Sequence, residues 1–229
     1  MVLTITHSPT ESVARLGGWL SGAGVLLDVR SPYDGSPLPS LRGFDGLLVM
    51  GGAMGAYDDD VAPWLPATRD LLREAVAEQI PTLGVCLGGQ LLAAALGGSV
   101  AKAPRKEIGW FDVAPLPAAR EDPLFAAAPA AFTAFHWHGD AFTLPPGAVP
   151  LAASAMTPLQ AFRIGARAWG IQFHLETDAQ VLDAMLDSGA EELREAAVDT
   201  AAIRAKASAE LRRLRELALR IFGRWADLL

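Results

Sequence analysis

The sequence predicts an α/β fold: a doubly wound, mostly parallel sheet with helices on both faces, an antiparallel extension, and C-terminal helices. Three observations predict it. Short apolar runs alternate with helical stretches as far as Leu96. From about residue 99 to 176 the pattern changes to short strands and proline-bearing turns. Beyond that, a long amphipathic stretch keeps its apolar residues on one stripe.

The apolar runs Leu3–Thr6, Val25–Val29, Gly46–Met50 and Pro81–Val85 have the length and composition of buried strands. Ser12–Ser21, Ala67–Gln79 and Gln90–Leu96 read as the intervening helices. Thr10 or Ser12 would stand near the first N-cap, Gly22 closes that helix, and Gly97-Gly98 stops the third. Ligands of such sheets bind beyond the strands' carboxyl ends, so the turns after Met50 and Val85 are where chemistry is expected. The Ala/Pro-rich tract Ala114–Ala131 reads as a surface connection.

Ala179–Leu186 and Ala202–Trp225 read as helices. In the second, Ile203, Leu211, Leu214, Leu217, Ile221 and Trp225 form a stripe, and Arg212, Arg213, Arg215, Arg220 and Arg224 occupy the other faces. Such a helix packs its stripe on the sheet with the arginines solvated, or offers a face to an acidic partner or a second copy. The expected organisation is one domain over residues 1–190, with a helical extension over 191–229 packed on it.

Bulk properties exclude several classes. With 229 residues, a single domain would bury roughly 70–75% of its unfolded surface. A net charge of −7 argues against broad nucleic-acid binding. No apolar run approaches the ~18 residues of a membrane span, and Met1–His7 lacks the features of a signal peptide. The single cysteine forbids an internal disulfide and fits a reducing, cytoplasmic location.

That cysteine, Cys86, is the most informative residue. It lies in Leu83-Gly84-Val85-Cys86-Leu87-Gly88-Gly89-Gln90, between an apolar strand and a helix. Glycines two before and two after it spell a nucleophile elbow with sulfur as the nucleophile. The turn is sharp, so small neighbours are needed where other backbone passes close by. Sulfur at a helix N-terminus faces aligned dipoles and free N–H groups, which favour thiolate.

Ala168–Glu176 reads as a buried strand ending in a polar pair. His174 and Glu176 are two residues apart, so in extended chain they share a face. The imidazole would take a proton from Cys86, while the carboxylate holds the other ring nitrogen. Gly51-Gly52 follows the Gly46–Met50 strand. An amide from this turn, with that of Leu87, would form an oxyanion hole.

These segments together resemble the class I glutamine amidotransferases. The stretches that carry the resemblance are Gly51-Gly52, Gly84–Gln90 and Phe173-His174-Leu175-Glu176. The closest resemblance is to free-standing proteins similar to the GMP synthetase amidotransferase domain. It rests on Gly51-Gly52-Ala53-Met54, Tyr57-Asp58-Asp59, Glu107-Ile108-Gly109-Trp110 and His174-Leu175-Glu176. Leu175 stands where anthranilate-type and GMP-synthetase subunits more often carry proline.

The resemblance implies a flavodoxin-like architecture with no cofactor. It implies Cys86 as nucleophile, His174 as base and acid, Glu176 as its orienter, and the Gly52 and Leu87 amides as the oxyanion hole. Gln90 and Gly51 would lie beside the bound glutamine. His136-Trp137-His138-Gly139-Asp140 would become a loop near the pocket, with His138 and Asp140 at its edge. As a zinc site this segment lacks ligands: Ala141 follows where metallo-hydrolases carry histidine, and no metal is expected.

The expected substrate is glutamine or a γ-glutamyl compound, hydrolysed through a γ-glutamyl thioester. Ammonia would serve a separate synthase subunit, because no phosphate-binding Gly-x-x-x-x-Gly-Lys loop or synthase module is present. A stand-alone γ-glutamyl peptidase and a non-catalytic glutamine-binding regulatory subunit are the alternatives. The sequence leaves the oligomeric state open.

Overall fold

The computed structural model describes residues 1–11 and 13–229. The described residues form one sheet of nine strands. In chain order these are β1 (Val2–Ile5), β2 (Leu27–Arg30), β3 (Gly46–Val49), β4 (Thr82–Val85), β5 (Val100–Pro115), β6 (Phe132–Phe142), β7 (Val149–Ser154), β8 (Ala161–Ile164) and β9 (Ala168–Ile171). Their spatial order is β2-β1-β3-β4-β9-β8-β7-β5-β6. Strands β2, β1, β3, β4 and β9 run parallel, and β8, β7, β5 and β6 extend the sheet by antiparallel pairing.

The helices are α1 (Ala14–Gly22), α2 (Leu65–Ala77), α3 (Leu87–Ala95), α4 (Ala179–Ser188), α5 (Ala190–Glu195) and α6 (Thr200–Ala226). Side-chain alternation along the strands splits the core in two. Leu3, Ile5, Leu47 and Val49 face α2 and α3, while Val2, Leu48, Leu83 and Val85 pack in the cluster that holds α1, α4 and α6.

Several boundaries move for identifiable reasons. Helix α2 begins at Leu65 because Pro66 in the first turn needs no hydrogen-bond donor there. It stops before Gln79, whose φ of 59° is left-handed. Of the two residues expected near the first N-cap, Ser12 lies outside the described residues. Thr10 instead pairs its hydroxyl with Ser8 at 2.8 Å, and Val13 occupies the cap position. Later in the chain, Asp178 and Asp199 cap α4 and α6 by accepting the N–H groups of Val181 and Ala202.

The antiparallel region differs more. Its first two strands are long, 16 and 11 residues, where short ones were expected. Pro104 does not break β5, because it falls where the register shifts between Lys102 and Glu107 and no ladder bond is required. Ala114–Ala131 is also more than a surface connection. Leu124 and Phe125 are fully buried in it, and so is Asp122. That carboxylate accepts the N–H groups of Leu124 and Phe125, the Arg163 guanidinium at 2.9 Å and the Trp169 indole at 3.2 Å.

Helix α6 buries Ile203, Leu211, Leu214, Leu217, Ile221 and Trp225 against the sheet. Since Leu214 has no exposure, Leu214→Ala is expected to cost about 2–5 kcal/mol of stability. Urea unfolding measures this, and an unchanged midpoint would mean that α6 is not docked in solution.

Candidate active site

The site begins with the turn from β4 into α3. Cys86 takes φ 52° and ψ −109°, a conformation that costs a non-glycine residue about 1–3 kcal/mol. The surrounding packing imposes it. A Cβ on Gly84 would stand 2.4 Å from the Gly88 carbonyl oxygen, one on Gly88 2.0 Å from that of Val49, and one on Gly89 2.8 Å from that of Ile171. No side chain fits at these positions, so α3 presses directly on the sheet. The Cys86 N–H donates to the Ile171 carbonyl at 2.8 Å. Leu87, the first helical residue, keeps one of the N–H groups that have no partner within a helix.

His174 and Glu176 follow β9, outside the regular ladder. A single antiparallel bridge to Phe135 anchors this stretch, with the His174 N–H donating to the Phe135 carbonyl at 2.8 Å. The strand expected through Glu176 therefore ends at Ile171, yet the shared face survives: His174 Nδ1 lies 2.7 Å from Glu176 Oε1. The other ring nitrogen is left for Cys86, whose Sγ lies within 4.8 Å of the imidazole.

Electrostatics couple the three groups. Burial alone would lower the His174 pKa, but the charges of Glu176 and Cys86 raise it well above its ordinary value. For Cys86 the direction differs from the helix-dipole expectation. Burial at 5% exposure pushes the thiol up, and His174 opposes this only in part. Desolvation is the largest influence on the thiol, and the imidazole is the group that opposes it.

A cleft of about 820 Å³ opens over Cys86, lined by Gly52, Gln90, His138 and Asp140 among others. Gly52 leaves no room for a side chain: its Cβ would lie 2.7–2.8 Å from His7, Leu87 and Met54. At Gly51 a Cβ would meet the Glu11 carboxylate at 2.0 Å and His174 at 3.4 Å, which puts this backbone beside the imidazole. Gln90 is buried, and its amide donates to Gln172 Oε1 at 3.2 Å and to the Asp140 carbonyl at 3.5 Å. His138 and Asp140 lie within β6, not on a loop as expected, because the β5–β6 ladder runs through them. The His138 ring turns to Glu107, 3.1 Å away, and Asp140 borders the cleft.

Three contributors escaped the sequence reading. Gln172 places its amide 3.7 Å from Cys86 Sγ. Its signal was available, since it shares the parity of His174 and Glu176. Glu11 brings a carboxylate within 4.8 Å of the sulfur and imidazole from beyond β1, and no local pattern marks it. Glu192 on α5 accepts the Trp137 indole at 2.9 Å and binds Lys106 at 2.5 Å, forming a wall of the cleft.

Comparison with known proteins shows the family and the fold. The family described as glutamine amidotransferase class-I matches residues 25–189. A glutamine amidotransferase-like protein of Salmonella typhimurium, YfeJ, is 30% identical over 196 residues, covering 84% of this chain and 82% of its own. The GMP synthase of Thermomicrobium roseum is 39% identical over 132 residues, 57% of this chain but only 23% of that enzyme. Among solved structures, a glutamine amidotransferase from Thermotoga maritima superposes with a TM-score of 0.91 at 29% identity, covering 99% and 97% of the two chains. One from Methylobacillus flagellatus gives 0.90 at 33% identity, covering 100% and 94%.

Burial raises the Glu11 carboxyl from 4.5 to about 7, with His174 lowering it and Glu176 adding to the rise. A raised folded pKa means that folding favours the protonated acid. Its contribution is fully present below about 4.5 and is lost as pH rises through about 7. Glu11→Gln is therefore expected to remove a loss of stability that the wild type suffers across this window. Urea midpoints on both sides of it measure the effect, and parallel pH dependences would contradict the burial of Glu11.

Proposed function

This chain belongs to the class I glutamine amidotransferase family of glutamine-hydrolysing enzymes, and we propose that it hydrolyses the γ-amide of glutamine through a γ-glutamyl thioester on Cys86. The observation that carries this reading is the strained Cys86 elbow facing the His174–Glu176 pair. In the proposed cycle, His174 takes the thiol proton and Cys86 attacks the δ-carbonyl carbon. The oxyanion is held by the amides of Gly52 and Leu87. His174 then protonates the departing nitrogen, the C–N bond breaks, and ammonia leaves. Water activated by His174 attacks the thioester, releasing glutamate and restoring the thiol. Glu176 keeps the imidazole in the required tautomer.

Gln90, Gly51, His138 and Asp140 are proposed to surround the substrate, Gln90 through its side-chain amide. The ammonia would pass to a separate synthase subunit. No helix among the described residues is long and apolar enough to cross a membrane. A second reading, a stand-alone γ-glutamyl peptidase, is favoured by one observation: Cys86, His174 and Glu176 come together within a single chain.

The chain alone, supplied with glutamine and a panel of γ-glutamyl dipeptides, is expected to release glutamate in a Cys86-dependent manner. Cys86→Ala should abolish turnover and leave the fold intact; full activity in that variant would sink the proposal. Preference for dipeptides would select the peptidase, while turnover only with added host lysate would indicate a subunit awaiting its synthase. Saturable glutamine binding without hydrolysis in either setting would mean a regulatory subunit. Separately, Glu176→Gln is expected to lower kcat by roughly 10²–10⁴ with little change in KM. A loss confined to KM would instead make Glu176 a binding residue.

A further inference from the structure

Beside the cleft, β5 and β6 bring together a second cluster, of which the hydrolytic reading uses only His138, at the edge of the substrate pocket. Glu107, His136 and His138 are each at most 5% exposed. Glu107 sits directly opposite His138 in the ladder, and His136 lies two residues along β6 on the same face. One donor atom from each lies within 4.8 Å of the other two.

The hydrogen bonding of these residues leaves electron pairs without a partner. His138 Nδ1 is 3.0 Å from the Asp140 carbonyl oxygen. A carbonyl only accepts, so Nδ1 carries the hydrogen. In a neutral ring Nε2 then directs a lone pair at Glu107 Oε2, 3.1 Å away, an arrangement that a proton or a metal ion between the two atoms would satisfy. Neither ring nitrogen of His136 has a hydrogen-bond partner, although the ring is completely buried.

We propose that Glu107, His136 and His138 bind a divalent transition-metal ion, with zinc the best match. Two imidazoles and a carboxylate form a set that zinc commonly takes. Bonds of about 2.0–2.2 Å in tetrahedral geometry separate donor atoms by roughly 3.3 Å. The Glu107–His138 pair already fits that spacing, and His136 has only to close in. The supporting contacts are also present. His138 donates its other N–H to a carbonyl, while Ser154 and Gln160 each hold a Glu107 oxygen at 2.6 Å. Such an ion would join β5 to β6. It pins the stretch whose central residue, Trp137, sets its carbonyl 3.7 Å from Cys86 Sγ. The expectation that these histidines lack a further ligand fails because Glu107, distant in sequence, is their ladder neighbour.

The test strips the full chain with a chelator, dialyses it against Zn²⁺ and counts the retained ion by elemental analysis. About one equivalent is expected, lost in His136→Leu and kept in Cys86→Ala. The second variant is needed because Glu11, Cys86 and His174 also bring donor atoms within 4.8 Å of one another. Zinc should raise the melting temperature of the wild type and leave that of His136→Leu unchanged. Should His136→Leu not fold, the Co²⁺-loaded wild type decides: cobalt d–d absorption without a sulfur-to-metal charge-transfer band supports the site. Failure of the wild type to retain zinc, or retention that disappears in Cys86→Ala and shows the sulfur band with cobalt, would overturn it.

Discussion

The site depends on the contact between α3 and the sheet at Cys86. A helix that starts one residue after a strand has no room for a loop, so the intervening residue is forced to positive φ. That conformation persists because backbone packs on backbone at Gly84, Gly88 and Gly89, and because the Cys86 N–H is bound to Ile171. The strain is local and the support is spread through β3, β4 and β9, all of them buried strands. The sulfur is thereby held above the sheet without relying on its own side-chain contacts.

The remaining groups reach the sulfur from different layers. His174 and Glu176 come from the end of β9 and are tied by one bridge to β6. The antiparallel half of the sheet thus aligns the imidazole for a cysteine in the parallel half. Helix α5 closes the cleft through Glu192, which joins Trp137 to Lys106. The C-terminal helices therefore contribute to the wall of the cleft as well as to the core. Burial of this ensemble has a cost, visible in the raised pKa of Cys86 and Glu11. The charge of His174 offsets part of it, while that of Glu176 adds to it.

Much of the first half was legible because its signals are local. Apolar runs of strand length, glycine turns and helix stops gave the parallel strands to within two residues. The Cys86 motif and the parity of His174 and Glu176 brought the proposed catalytic groups forward from separate segments. The second half was harder to read. Proline at position 104 looks like a strand end, but at a register shift it leaves a long strand intact. Alanine and proline between 114 and 131 look exposed, yet Phe125 and Asp122 are interior because Arg163 and Trp169, far along the chain, complete their surroundings.

What the sequence by itself determined were the features governed by short-range sterics and periodicity: the alternating α/β order, the elbow, the shared face of His174 and Glu176, and the apolar stripe of α6. What only the tertiary structure decided was which distant groups meet. Glu11 beside Cys86, Gln172 against the sulfur, Glu107 opposite His138 and Glu192 on Trp137 all depend on strand order and register. Local sequence does not encode these, because a ladder pairs residues by where the whole core packs, and a one-residue slip of β5 would turn Glu107 to the other face.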